Sequence, residues 1–272
     1  MNLTFAAKSR SFPSRIVCLS DEASELLYLL GEQDRIVGVS GYAVRPPQVR
    51  REKPRVSAFI SADIPKILAL EPDLVLAFSD LQADIVADLV RAGVAIHVFN
   101  QRDVAGILAM IRTLGALVDA AERADQLAAS YEQRLASIAS AARPSPKPKV
   151  YFEEWDDPLI SGIGWVSELI EIAGGEDVLP NLRCQKAAKD RIISPDAVRA
   201  AAPDVILASW CGKKVVPDKI RMRPGWNEIP AVRNDRIVEI KSALILQPGP
   251  AALTDGLDAI VAALWPEPLP SS

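Results

Sequence analysis

Histidine is nearly absent from this chain. Its 272 residues contain one, His97, and three cysteines, Cys18, Cys184 and Cys211, with no C-x-x-C pairing. An odd, scattered set argues against a disulfide framework and suits a reducing compartment. A single histidine argues against a His/Cys zinc centre, and no metal ligands are assigned. His97 lies in the apolar run Val94-Ala-Ile-His-Val-Phe99 and reads as a structural histidine before a ligand. No apolar run approaches the roughly 20 residues of a membrane-spanning helix. Neither G-x-x-x-x-G-K-[ST] nor G-x-G-x-x-G occurs, which removes support for nucleotide use. The net charge of -4 lacks the basic excess that phosphate-backbone binding needs, so nucleic acid is not an expected partner. The first ten residues, Met1 to Arg10, show neither a basic start with a continuous apolar core nor a lipid-attachment cysteine. As written, nothing exports the chain, and on that reading it is cytoplasmic.

What is present is an ordinary globular balance, 49% apolar and 24% charged residues, long enough for one large or two modest domains. Arg15-Ile-Val-Cys-Leu19 is a β-rich run followed by a helix from Ser20-Asp21-Glu22 to Leu30, closed by Gly31. Arg35-Ile-Val-Gly-Val39, Arg55-Val-Ser-Ala-Phe59, Leu74-Val-Leu-Ala-Phe78 and Ala95-Ile-His-Val-Phe99 predict further strands. Helices are predicted from Ala62 to Leu70, with Pro65 tolerated in the first turn, and from Asp80 to Ala92. Strands that alternate with helices and are apolar throughout imply a parallel sheet covered on both faces.

From Asp103 to Ala142 the chain reads as a helical spacer. Val104, Ile107, Leu108, Ile111, Leu114 and Val118 recur at helical spacing, as do Ala124, Leu127, Ala128, Tyr131, Leu135 and Ile138. Asp119-Ala-Ala-Glu122 has the residue types of a capping box and predicts a break between them. The second helix is then about 20 residues and about 30 Å long, and ends at the prolines of Arg143-Pro-Ser-Pro-Lys-Pro148. The segment is either a rigid bridge holding two lobes apart or an ordinary surface helix of one domain. Beyond it the plan recurs: Glu71-Pro-Asp-Leu-Val-Leu-Ala-Phe78 is echoed by Ala202-Pro-Asp-Val-Ile-Leu-Ala-Ser209. Strands are predicted at Lys149–Phe152 and Arg236–Ile240, with helices at Val166–Ala173, after Ser194-Pro195, and from Pro250 to Leu264. The fold class is therefore α/β: two lobes with mostly parallel sheets flanked by helices, bridged by one long rigid helix. The boundaries are 15–102 for the first lobe, 103–142 for the spacer and 149–264 for the second lobe.

Open α/β sheets bind ligands beyond the carboxyl ends of their strands. That rule selects Asp21, Glu22, Tyr42, Phe59, Phe78 and Asp80 in the first lobe. In the second it selects Glu153, Glu154, Trp155, Trp210, Cys211, Lys213, Lys214, Lys241 and Ser242, with Trp165 after the flexible Gly162-Ile-Gly164. Together they suggest a small-molecule cleft between the lobes. Each has a plainer reading. Phe59 and Phe78 are core or rim packing, or ligand contacts. The acidic run Glu153-Glu154-Trp-Asp156-Asp157 is a solvated loop, or one half of an electrostatic lock facing Lys186, Lys189, Lys213 and Lys214. Cys211 lies beside a lysine that would lower its pKa, yet no triad pattern accompanies it, so no catalytic residue is assigned.

Taken together, these runs resemble the helical-backbone (class III) substrate-binding proteins of ABC importers, closest to the cobalamin-binding branch. The resemblance is carried by Arg15-Ile-Val-Cys-Leu-Ser20 with Glu25-Leu-Leu and Leu30-Gly31, and Arg35-Ile-Val-Gly-Val-Ser40 with Tyr42 and Pro46-Pro47. It continues through Ile67-Leu-Ala-Leu-Glu-Pro-Asp-Leu-Val75, Ser161-Gly162, Ala173-Gly-Gly-Glu176, Pro203-Asp-Val-Ile206 and Arg223-Pro-Gly-Trp226 with Ile229-Pro-Ala-Val232. It spans roughly Arg15 to Leu264. It implies a periplasmic, non-enzymatic binding protein that takes a cobalamin-like corrinoid or another bulky metal chelate as ligand, with no intrinsic cofactor. Aromatic residues lining the family's cleft match Phe59 and Phe78. The polar residues that contact cobalamin late in the family's chain fall near Ala243 to Gln247, where no charges stand. The glutamates through which the family docks on its permease match Pro65 and Asp196, a departure expected to weaken that partner contact. On these grounds the expected ligand-binding set is Asp21, Tyr42, Phe59, Phe78, Glu153, Glu154, Trp155, Trp165, Trp210, Cys211 and Lys213. The alternative is a cytoplasmic paralogue with an enzymatic or cofactor-handling role, using Cys211 or the Glu153/Glu154 pair and not docking on a permease.

Overall fold

The computed structural model describes residues 12–266. The Met1–Arg10 segment read above for a leader lies outside the described residues. The chain forms two compact units, the first from residues up to Asn100 with Met110–Gln126, the second from Gln101–Ala109 and Leu127 onward.

In the first unit β1 (Ile16–Cys18) leads into α1 (Asp21–Leu29), β2 (Ile36–Ser40), the short α2 (Val49–Glu52) and β3 (Arg55–Ser57). α3 (Ile64–Ala69), β4 (Leu74–Phe78), α4 (Ala83–Arg91) and β5 (Ile96–Phe99) complete it. The sheet has the order β3-β2-β1-β4-β5 and every pairing is parallel. β1 and β4, its central strands, are buried along their whole length, as their uninterrupted apolar sequences require. Chain order reverses between β1 and β4, which makes their carboxyl ends the switch point of the sheet. The single histidine sits on the edge strand β5, half-buried, its ring centroid 4.3 Å from that of Phe99. Burial holds its pKa below the ordinary value.

α5 (Val104–Leu117) and α6 (Ala121–Ser140) form the helical spacer, and both run through the boundary between units. Its 20 residues make α6 about 30 Å long. The break falls where expected but by another device. Asp119 adopts φ 62 and Ala120 precedes the helix, so Asp119 is a left-handed corner rather than the N-cap of a capping box. Gly115 is required here: a Cβ on it would lie 2.1 Å from that of Ala124, so the two helices meet backbone to side chain.

The second unit starts with β6 (Lys149–Asp156), β7 (Leu159–Ser161), α7 (Gly164–Ile172) and β8 (Glu176–Asp177). α8 (Pro195–Ala201), β9 (Val205–Ala208), α9 (Pro217–Arg221), α10 (Pro230–Arg233), β10 (Ile237–Glu239), α11 (Ser242–Ile245) and α12 (Leu257–Leu264) complete it. The sheet order is β10-β9-β6-β7, with β8 also on β6. Only the β6–β7 pairing is antiparallel. This corrects the sequence reading of the acidic run. Glu153 to Asp156 are not a loop but the second half of β6, turning back through Asp157-Pro158 into β7.

The Pro-Asp echo has a physical basis. In the first unit Asp73, just before β4, accepts from the amides of Ser14 (2.8 Å) and Arg15 (2.8 Å) at the start of β1. In the second, Asp204, just before β9, accepts from the amide of Lys149 (2.9 Å) at the start of β6. The backbone repeats too: Glu71 and Ala202, each two residues before its aspartate, both have φ 46. Each turn thus pins the entry to the neighbouring central strand, at Ser14 and Arg15 just before β1 and at Lys149, the first residue of β6.

Candidate functional site

At the carboxyl edge of the first sheet, Gln82 organises the loops. It is fully buried, its Nε2 donates to the carbonyls of Leu19 (3.0 Å) and Phe59 (2.9 Å), and its Oε1 accepts from the amide of Phe78 (2.9 Å). One side-chain amide therefore stitches the ends of β1 and β4 and the loop after β3. Sequence reasoning missed it because a glutamine between Asp80 and Ala83 carries no periodic or motif signal. Next to it Ser79 has φ 63 with ψ 174, a region that side chains with a Cβ rarely enter, and its hydroxyl accepts from the amide of Leu81. The loop after β2 is joined to the end of β3 by the Gly41 amide donating to the Ser57 carbonyl at 2.7 Å.

This framework presents apolar side chains outward. Tyr42 is 52% exposed, Ile60 70% and Leu81 57%, one on each of three loops following β2, β3 and β4. Phe59 is half-buried, whereas Phe78 is buried at 5%. Beneath the rim lies an acidic group at the start of α1. Burial pushes the Asp21 carboxyl up to about 6, against a hydrogen bond from Ser40 that lowers it. Burial pushes Glu22 up to about 8, so it carries its proton at neutral pH. Glu25, nearby on the same helix, pairs with Arg45 at 2.7 Å.

The strand ends of the second unit are built differently. Glu153 is completely buried and receives Arg223 through two bonds, at 2.5 and 2.9 Å, while the Trp210 indole donates to it at 3.0 Å. Glu154 receives the buried Arg191 guanidinium at 2.5 and 3.0 Å, and the same arginine donates to the Ser161 carbonyl. Neither Arg191 nor Arg223 is among the site residues expected from the sequence. They lie 37 and 70 residues from their carboxylates, and no spacing rule spans such a gap. The one available signal was chemical: two adjacent glutamates in an apolar strand need cations.

Trp165 is also placed differently from the expectation. It lies in the first turn of α7, 3% exposed, with its indole donating to the Ile245 carbonyl at 2.8 Å. The adjacent Gly164 does allow close backbone approach, since a Cβ there would lie 2.4 Å from the Arg102 carbonyl oxygen. Trp210 is 2% exposed and Trp155 half-buried, its indole donating to the Asp157 carbonyl at 2.9 Å. The Lys213 ammonium lies 3.9 Å from the Trp155 ring centroid and 5.0 Å from that of Trp210, and pairs with Asp156. Cys211 is exposed.

The structure brings Tyr42 and Phe59 to one edge of the first sheet, with Asp21 and Phe78 below. In the second it brings Glu153, Glu154, Trp155, Trp210 and Lys213 to the ends of β6 and β9. Pro65 is the second residue of α3, following Asp63, whose carboxylate caps that helix through the Lys66 amide at 3.0 Å. Asp196 stands exposed in the first turn of α8, paired with Arg199 at 2.8 Å. It lines a surface concavity of about 450 Å³ with Arg199, Gly225 and Glu228. Among the described residues no group of three or more His, Cys, Asp or Glu side chains could hold a metal ion. No helix among them is long and apolar enough to cross a membrane.

Comparison with known proteins gives a consistent picture. An ABC transporter substrate-binding lipoprotein of Bacillus subtilis, YvrC, itself uncharacterized, is 26% identical over 269 residues, 94% of this chain and 81% of its own. A vitamin B12-binding protein of Vibrio parahaemolyticus is 26% identical over 242 residues, 88% of this chain and 85% of its own. The periplasmic heme-binding protein RhuT from Roseiflexus sp. RS-1, in apo form, superimposes with a TM-score of 0.78 at 26% identity, covering 92% of this chain and 99% of its own. The family model for periplasmic binding proteins matches residues 16–244, nearly the whole of both sheets. With its paired α/β units and the helix that runs through their boundary, the chain belongs to the periplasmic binding protein family, of the kind that serves ABC transporters.

Proposed function

We propose that this protein is the substrate-binding component of an ABC importer and that its ligand is a bulky metal chelate, a cobalamin-like corrinoid or a haem-like macrocycle. The observation that carries the reading is the exposed apolar rim along the carboxyl edge of the first sheet. Tyr42, Ile60 and Leu81 extend from three loops whose backbones are held by Gln82 and by the Gly41–Ser57 bond. A soluble domain gains nothing from such a rim unless a large apolar surface meets it. The relatives named for vitamin B12 and heme support that ligand class. The ligand is cargo rather than a resident cofactor.

In this reading the first unit offers Tyr42 and Phe59 for stacking against a macrocycle with Asp21 at their margin, and the second offers Trp155, Trp210, Cys211 and Lys213 as its own contacts. Glu153, Glu154, Phe78 and Trp165 act one layer back, holding those contacts in place. The permease is the partner, met on the first unit near Pro65 and on the second at Asp196. The relatives' names support work outside the cytoplasmic membrane. The enzymatic alternative draws no support from Glu153 and Glu154, since each is committed to an arginine.

Absorption titrations with cyanocobalamin and with haemin test the proposal. Saturable spectral shifts with micromolar or tighter affinity are expected for one of them, weakened at least tenfold by Tyr42→Ala. Absence of saturable binding to both, in protein of native circular dichroism, would overturn it.

A further inference from the structure

Three carboxylates on β6 are paired with cations, and the three cations differ in one respect. Arg191, on Glu154, has a side chain 2% exposed, and Arg223, on Glu153, 14%. Lys213, on Asp156, is 40% exposed, although the Asp156 side chain is only 10% exposed. The first two are fixed interior pairs. The third joins a sheltered carboxylate to a cation on a flexible four-carbon stem at the surface. Next to it Gly212, at φ 73, faces open space: apart from its chain neighbours, no atom lies within 4 Å of where its Cβ would stand.

The surroundings of the Lys213 ammonium are those of a receptor for a cation. The Trp155 ring centroid is 3.9 Å away and that of Trp210 5.0 Å, and Asp156 supplies the opposing charge. Both indoles are fixed independently of the lysine. Trp155 donates to the Asp157 carbonyl at 2.9 Å and Trp210 to Glu153 at 3.0 Å. Aromatic faces attract cations through their quadrupole, most strongly where water is excluded. If Lys213 swings out, the walls stay in place and a sheltered carboxylate is left without its counter-charge, which is costly. The box therefore retains its demand for a cation.

We propose that Trp155, Trp210 and Asp156 form a binding site for an organic ammonium group, occupied by Lys213 in the unliganded protein and vacated when a ligand carrying such a group enters. The proposal rests on the ligand-facing role of the β6 and β9 strand ends and narrows the ligand class to chelates bearing a pendant amine. Self-occupation also sets specificity. An incoming cation must outcompete the tethered lysine, so a weakly held small amine is excluded and only a ligand with contacts elsewhere displaces it.

Choline chloride, titrated calorimetrically into the full chain, is the probe, with its neutral carbon analogue 3,3-dimethylbutan-1-ol as control. Lys213→Ala is expected to bind choline at least tenfold tighter than wild type and not to bind the neutral analogue. Adding Trp155→Ala or Asp156→Asn to Lys213→Ala is expected to return affinity to the wild-type level or below. The asparagine variant keeps the shape of the box should the tryptophan variant fold poorly. Equal choline affinity in wild type and Lys213→Ala, or equal binding of the neutral analogue, would overturn the proposal. Corrinoid and haem titrations of the same samples separate this result from the chelate reading. Choline binding without chelate binding keeps the box and sinks the chelate, and the converse does the reverse.

Discussion

In the first unit the carboxyl edge of the sheet is a rim of exposed apolar side chains above an acidic group in which burial leaves Glu22 protonated at neutral pH. In the second the corresponding edge is charged but self-neutralised, each β6 carboxylate holding its own cation, with indoles beside the Glu153 and Asp156 pairs. Both sheets are parallel at their centres and both begin with the same Pro-Asp device, so the contrast does not come from topology. It comes from the residues at the carboxyl end of each central strand: Ser20-Asp21-Glu22 opening a helix after β1, against Glu153-Glu154-Trp155-Asp156 continuing as strand in β6. A helix start draws carboxyls toward its own amides, whereas a strand sends successive side chains to opposite faces. Glu153 and Glu154 consequently reach different arginines. A common scaffold thus yields one edge suited to apolar surface and another suited to charge.

The largest effect should come from cutting the second edge. Glu153→Ala leaves the Arg223 guanidinium buried without its carboxylate and the Trp210 indole without its acceptor. A loss of about 3–5 kcal/mol in urea unfolding is expected. Tyr42→Ala on the first edge removes an exposed side chain and should change stability by no more than about 0.5 kcal/mol. Equal losses would erase the distinction between a structural edge and a presenting edge.

Gln82 is the nearest thing on the first edge to those ion pairs. Gln82→Leu leaves the Leu19 and Phe59 carbonyls and the Phe78 amide without their partner, and about 1 kcal/mol for each gives a loss of about 3 kcal/mol. Hydrogen exchange should locate it: the Phe78 amide loses protection, while amides of β6 and β9 keep theirs. Uniform loss across both sheets would show that Gln82 supports the whole chain and not one edge.

The two edges were not equally legible in the sequence. Both central strands and the repeated Pro-Asp turn were readable, because apolar runs and a proline act through the local backbone, whereas the spacer break was placed rightly from a capping box that Asp119, a left-handed corner, does not form. Tyr42 and Phe59 could be named from strand ends alone. Gln82, Arg191 and Arg223 could not, since their partners are tens of residues away and only the folded sheet brings them together. The acidic run misled for a related reason. Read singly, four carboxylates and a tryptophan suggest a solvated loop, and only the cations supplied from elsewhere, Arg191, Arg223 and Lys213, allow Glu153, Glu154 and Asp156 to stand in a strand.

Protonation sharpens the contrast further. Burial raises Glu22 from 4.5 to about 8, so between those values the folded protein holds a proton that the unfolded chain has released. Stability is full below the lower value and declines as pH rises toward the upper, with a slope of at most about 1.4 kcal/mol per pH unit for one proton. Asp21, raised to about 6, adds to the decline at its lower end. Urea midpoints between pH 5 and 8 should fall in wild type and flatten in Glu22→Gln. A Glu22→Gln curve with the wild-type slope would assign the decline to other groups.

A smaller loss than those at Glu153 and Gln82 tests the feature that the two units share. Asp73 accepts from the Ser14 amide, the Ser14 hydroxyl and the Arg15 amide, and Arg15 in turn donates to the carbonyls of Leu70 and Glu71 at the end of α3. Asp204 accepts from the Lys149 amide, whose exposed setting lets water replace it. Asp73→Ala should therefore cost about 1–2 kcal/mol and Asp204→Ala about 0.5–1, since exposed hydrogen bonds are partly replaced by solvent. The two sites lie in different units and should add in the double variant. If Asp204→Ala proved the costlier, the pin on β6 would matter more than its single bond implies, and the shared turn would be doing unequal jobs in the two halves.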